Sequence, residues 1–205
     1  MNFALVQPNW SFAGSTYFGC RETHLPLELL YARQQLHAAG HDALLVDAHL
    51  EALAPEAAAA RLRGFGPDFV VLTTAPTYLF WRCPQPELRL PALWLRALHA
   101  ALPRAVTMAI GPHGSATPSA ALAKLGCDAV VRGEADQMLH QLATKPWGTL
   151  PGLAFATERG AVSTPGLNQA DLAALPALDF DRYPLDLRRH RHHVFSGSGR
   201  GAELE

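Results

Sequence analysis

Short apolar runs alternate with longer amphipathic ones along this chain. Five runs, at residues 3–7, 43–47, 69–73, 106–110 and 129–131, are aliphatic or β-branched and end in polar or Gly/Pro residues. That pattern predicts strands buried on both faces, as in a parallel sheet. Between them, apolar positions recur at helical spacing. Leu25, Leu29, Ala32 and Leu36 share one face of a segment over 25–39 that Gly40 ends. Residues 55–63 are Ala-rich, and Pro91 opens a segment to Leu102 with Trp94, Leu98 and Ala101 on one side. Thr117-Pro118 begins a further helix that Gly126 stops, and residues 137–142 continue helically after the fifth strand. Strict alternation predicts an α/β fold: a flavodoxin-like (Rossmann-like) five-stranded parallel sheet with right-handed crossovers, in the order 2-1-3-4-5.

The pattern changes near residue 150. Residues 153–156 and 161–163 flank Glu158-Arg159-Gly160, which predicts a β-hairpin. Residues 171–184 are rich in Asp, Leu and Pro and read as an extended connector, followed by a basic, His-rich stretch and the flexible string Ser196-Gly197-Ser198-Gly199. The expected organisation is a Rossmann-like domain over 1–148, a hairpin and connector over 149–187, and a tail over 188–205.

Composition narrows the classes. With 205 residues, 49% hydrophobic and 17% charged, the chain can bury a real core. A net charge of -1 gives no electrostatic footprint for nucleic acid. No apolar run approaches the roughly 20 residues of a membrane span, and no signal-peptide pattern opens the chain. Three scattered cysteines, Cys20, Cys83 and Cys127, exclude a zinc or iron–sulfur site built on close Cys spacing and suit a reducing compartment. The cytoplasm is the expected location.

Open α/β sheets bind ligands beyond the carboxyl ends of their strands, where strand order reverses. Here that point lies between the first and third strands, whose following loops, 8–26 and 75–91, are the longest in the core. Such loops are usually functional. Both are aromatic: Trp10, Phe12, Tyr17 and Phe18 in one, Tyr78, Phe80 and Trp81 in the other. They suit the walls of a site for a large flat ligand, and equally suit packing on each other or under a further domain. Gly111-Pro112-His113-Gly114 leaves the fourth strand at the same edge, and Gly133-Glu134 leaves the fifth. Glycine admits backbone close to a ligand. His113 reads as a hydrogen-bonding or packing group before a metal ligand, and Glu134 as a helix-dipole partner. There is no GxxxxGK[ST] loop, no GxGxxG after the first strand, no nucleophile elbow and no spaced metal-ligand set. No catalytic and no metal-ligating residue is assigned.

In this order, the pieces HLPLELLYARQQLHAAGHDALLVDA, PDFVVLTT, AIGPHGSATP and CDAVVRGEAD, with the hairpin LPGLAFATERGAVSTPG and the connector DLAALPALDFDRYPL, carry a resemblance over nearly the whole chain. The sequence resembles the N-terminal cobalamin-binding domain of cobalamin-dependent radical S-adenosylmethionine enzymes. The resemblance implies cobalamin as cofactor. It places Gly111, Pro112, His113 and Gly114 beside the dimethylbenzimidazole tail, and Thr73, Thr74 and Ala75 where the family hydrogen-bonds that tail. Gly133 and Glu134 would close the far wall, and Trp10, Tyr17, Phe18 and Tyr78 would meet the lower corrin face. Two features depart from related patterns. The chain holds no CxxxCxxC, which implies that the [4Fe–4S] cluster, S-adenosylmethionine and the radical domain belong to a further C-terminal part. The loop after the first strand has no DxHxxG, so cobalamin is expected base-off without a protein His ligand. The chain alone is then expected not to turn over substrate, the full-length protein being a methyltransferase or cyclase. The alternatives are a flavodoxin-like flavin or nucleotide binder, disfavoured because Ser11, Gly14, Ser15 and Thr16 are dispersed among aromatics, and a non-catalytic protein-interaction module.

Overall fold

The computed structural model describes residues 1–11, 23–76 and 87–180. The five expected strands form: β1 Asn2–Gln7, β2 Asp42–Asp47, β3 Phe69–Thr73, β4 Val106–Ile110 and β5 Ala129–Val131. All four of their pairings are parallel, with β1 between β2 and β3. The hairpin, β6 Leu153–Thr157 and β7 Gly160–Ser163, does more than follow this sheet. It joins it, β6 running antiparallel to β5, so the order is 2-1-3-4-5-6-7.

Side chains alternate across the sheet with the period of two that a pleated strand imposes. Phe3, Leu5, Phe69, Val71, Met108 and Val131 face one buried cluster, which α1 (Leu27–Ala38) and the 3-10 helix Leu139–Ala143 cover. Ala4, Val6, Val70, Leu72, Ala109 and Val130 face the other, which α2 (Pro55–Phe65), α3 (Arg89–Ala101) and α5 (Pro118–Leu125) cover. The covering helices change face after β2 because the strand order reverses at β1. That reversal opens the edge between the carboxyl ends of β1 and β3.

Two local expectations differ from the structure. The Gly111–Gly114 turn is a short helix, α4, Pro112–Ala116. Pro112 supplies the φ of a first helical turn, and Gly111, at φ +114°, takes the sharp bend before it. Residues 139–143 form a 3-10 rather than an α-helix, a single short turn of the kind such connections use. Among the described residues no helix is long and apolar enough to cross a membrane.

Candidate functional site

Register brings the ends of three strands level. Val6 stands opposite Leu72 and Thr73 opposite Ile110, so Gln7, Thr73 and the β4 end meet at one edge. Gln7 is 3% exposed and Thr73 fully buried. The Thr73 hydroxyl donates to Gln7 Oε1 at 2.7 Å. That bond uses the single hydroxyl proton of Thr73 and orients the Gln7 amide. Among the described residues the Gln7 NH2 donates to no group.

Thr74, also fully buried, turns the other way. Its backbone N–H and its hydroxyl both donate to Ile110 O, each at 2.9 Å. With that proton committed, His113 Nδ1, 3.2 Å from Thr74 Oγ1, is the donor of their contact. The imidazole is therefore held as the Nδ1–H tautomer and presents its Nε2 lone pair. Burial pushes the His113 pKa below the usual range, and the carboxylate of Glu87 only partly opposes this. Glu87 is itself held low by its hydrogen bond from Arg89. The ring is a neutral acceptor near pH 7.

The glycines are explained by the chain's own packing. A Cβ on Gly111 would lie 2.8 Å from Thr74 Oγ1, and one on Gly114 would lie 2.1 Å from Val130 Cγ1. Gly133, at φ +83°, has Asn168 against it, whose carbonyl oxygen would lie 2.1 Å from an added Cβ. Ser115 ties the two turns together: its hydroxyl donates to Gly111 O at 3.2 Å and accepts from Gly133 N–H at 2.8 Å. Glu134 holds the connector, its N–H donating to Asn168 O at 2.9 Å and its carboxylate accepting from Ala170 N–H at 2.5 Å.

Of the residues singled out from sequence, Thr73, Thr74, Ala75, Gly111, Pro112 and His113 gather at the ends of β3 and β4. Gly114 packs beneath them, on β5. Gly133 and Glu134 lie further along, under the connector. Trp10 is 1% exposed and sits in the core cluster with Val6, Val46 and Leu62, its backbone N–H donating to His49 Nδ1 at 3.1 Å. Tyr17, Phe18 and Tyr78, with Phe12, Phe80 and Trp81, lie outside the described residues.

Sequence reasoning missed Gln7, whose only signal was a polar residue closing an apolar strand. It also missed Glu28, in the first turn of α1. Burial and then the charge of Asp136 push its pKa up to about 7. Cys127 carries no reactive thiol: burial pushes it up to about 12. A surface hollow of about 640 Å³ between Arg63, Asp68 and Arg104 lies at the opposite, amino end of the strands. Both arginines there are exposed, and it shares no residue with the edge described above.

The edge thus offers one amide donor and one imidazole acceptor, both positioned by buried threonines. Among the described residues no cluster of His, Cys, Asp or Glu could hold a metal ion. This suits a large neutral ligand bearing hydrogen-bonding groups, placed where an α/β sheet reverses its order.

Comparison with known proteins bears on the family and the fold. No curated protein matches the chain. Among solved structures, the radical S-adenosylmethionine methyltransferase TsrM from Kitasatospora setae, with cobalamin and a [4Fe-4S] cluster bound, is similar at 22% identity. The match has a TM-score of 0.64 and covers 80% of this chain and 30% of that one. The cobalamin-dependent S-adenosylmethionine radical enzyme OxsB, with aqua-cobalamin and S-adenosylmethionine bound, is similar at 12% identity and a TM-score of 0.67, over 87% of this chain and 24% of that one. At these identities the likeness is one of fold, and this chain spans under a third of either enzyme. The family described as the B12 binding domain matches residues 20–143, more than half of the sequence. The chain belongs to the B12-binding domain family.

Proposed function

We propose that this chain is the cobalamin-binding part of a radical S-adenosylmethionine enzyme, holding the cofactor base-off at the carboxyl edge of β1, β3 and β4. The observation that carries this reading is the family match falling on a sheet whose switch point offers an unpaired donor and an oriented acceptor. Cobalamin is rimmed by amide groups that both donate and accept, which is the chemistry Gln7 and His113 complement. When bound, it supplies methyl transfer or one-electron chemistry at cobalt. The [4Fe–4S] cluster, S-adenosylmethionine and the substrate belong, in this reading, to a further domain.

The chain's own residues bind and orient. Thr73 fixes the Gln7 amide, and Thr74 fixes the His113 tautomer. Ala75, Gly111 and Pro112 form the backbone wall between them. Gly114 supports that wall from below, and Gly133 and Glu134 hold the connector beyond it, bounding the site on its far side.

No histidine of this chain ligates cobalt in this account. His24 precedes Leu25-Pro26 at the start of α1, with no glycine behind it to admit a nucleotide tail. His113 is anchored in the first turn of α4 by Thr74. Because its Nε2 carries a lone pair, it is the group that a test must exclude. Electron paramagnetic resonance of bound cob(II)alamin is expected to show no three-line nitrogen splitting from a protein imidazole. Such splitting, lost in His113→Ala or His24→Ala, would overturn the base-off, ligand-free assignment.

A further inference from the structure

Gln7 is an odd residue to bury. It ends an apolar strand, is 3% exposed, and stands at the point where strand order reverses. Half of its amide is accounted for: Oε1 accepts the Thr73 proton at 2.7 Å. The other half donates to nothing among the described residues. The residue's small remaining exposure leaves the NH2 in reach of solvent, where an acceptor on a ligand can take the place of water. The fold has an inexpensive alternative, since replacing both members of such a pair by apolar residues of similar shape is close to neutral. A donor kept in place by a fully buried threonine, at the one edge where α/β sheets take ligands, is a recognition group.

We infer that the Gln7 amide, fixed by Thr73, is a hydrogen-bond donor to an acceptor on the corrinoid bound at the β1–β3 switch point. The inference rests on the cobalamin reading above. The acceptor lies either on the nucleotide tail or on a corrin side-chain amide, and the two sources separate experimentally. The Thr73 hydroxyl is an anchor in this account, its proton committed to Gln7.

The test is visible-absorbance titration of the 205-residue chain with hydroxocobalamin and, separately, with cobinamide, which lacks the nucleotide. The variants are Gln7→Met/Thr73→Val, which removes the whole pair and leaves no orphan, and Thr73→Val, which keeps the amide but frees its anchor. Thermal melts without ligand report folding. The double variant is expected to melt cooperatively and to bind hydroxocobalamin about tenfold more weakly, and Thr73→Val about threefold more weakly. A loss for cobalamin alone places the acceptor on the nucleotide, and a loss for both ligands places it on the corrin. Wild-type affinity for both ligands in the folded double variant would overturn the role of Gln7. Should that variant lose its cooperative melt, Gln7→Asn, which withdraws the amide by one methylene, reads the same contact, and unchanged affinity there overturns it equally. Failure of the wild-type chain to bind hydroxocobalamin would instead remove the cobalamin reading itself.

Discussion

The two ends of the sheet's carboxyl edge are built from similar sequence and finish differently. At the β5 end, Gly133 turns the chain and the connector supplies partners to the backbone groups around it, while Arg132 donates through Nη1 to Ser163 and Thr164 and keeps its buried Nε without a partner among the described residues. The Asn168 side-chain amide donates to the carbonyls of Arg132, Pro151 and Gly152, each at 3.1 Å. Further along, Gln137 pairs with Asp171, and Gln34 on α1 pairs with Ala177 and Asp179. The connector is stitched down over this end. At the β1–β3 end, Gly111 makes a comparable turn, but among the described residues the Gln7 NH2 is left to donate and His113 Nε2 to accept. A glycine after a strand therefore does not by itself mark a ligand. What separates the two ends is whether the connector covers the backbone groups around the turn.

The comparison can be broken at the closed end first. Gly133→Val adds a β-branched side chain at φ +83°, with its Cβ 2.1 Å from the Asn168 carbonyl oxygen. Backbone strain and overpacking together are expected to cost at least about 3 kcal/mol, read by urea denaturation. A loss below about 1 kcal/mol would show that the connector yields freely there.

Asn168→Ala removes the shared donor: the Arg132 and Gly152 carbonyls keep their backbone N–H partners, and the Pro151 carbonyl must find water. The expected cost is about 2 kcal/mol, with faster amide exchange over 165–180. Cobalamin affinity should stay at the wild-type value, because the stitching and the binding edge are separate. A parallel fall in affinity would join the two ends and erase the distinction drawn between them.

A smaller effect comes from pH. Glu28 holds its proton more tightly when folded, its pKa moving from the ordinary 4.5 to about 7. The folded state then binds more protons between those values, so stability is fully present below the unfolded pKa and falls as pH rises towards 7. Discounted for partial solvent access, the loss is about 1–2 kcal/mol between pH 4.5 and 8. Glu28→Gln should flatten that slope, measured by chemical denaturation across the range. An unchanged slope would place the titrating group elsewhere.

Much of the fold was legible because it follows from local chemistry. Residues 69–73, 106–110 and 129–131 are strands at the bounds their apolar runs predict, and Gly66 and Gly126 end their helices in the left-handed conformation. The hairpin was legible, but its antiparallel pairing with β5 was not, since nothing local specifies which edge a hairpin joins. Within the candidate site, Thr73, Thr74 and His113 could be singled out because they close or follow strands at the expected edge. Gln7 was not, because its meaning depends on Thr73, 66 residues away, taking half of its amide. Trp10 looked like a site aromatic in sequence and lies in the core, a distinction that depends on which way the chain turns after β1.

The central claim is that the open end of this edge holds cobalamin. The most direct measurement incubates the chain with hydroxocobalamin, removes free ligand by desalting and reads the visible spectrum. The account predicts a retained corrin band at close to one cobalamin per chain. A protein fraction without corrin absorbance, at concentrations where the chain is folded, would contradict it.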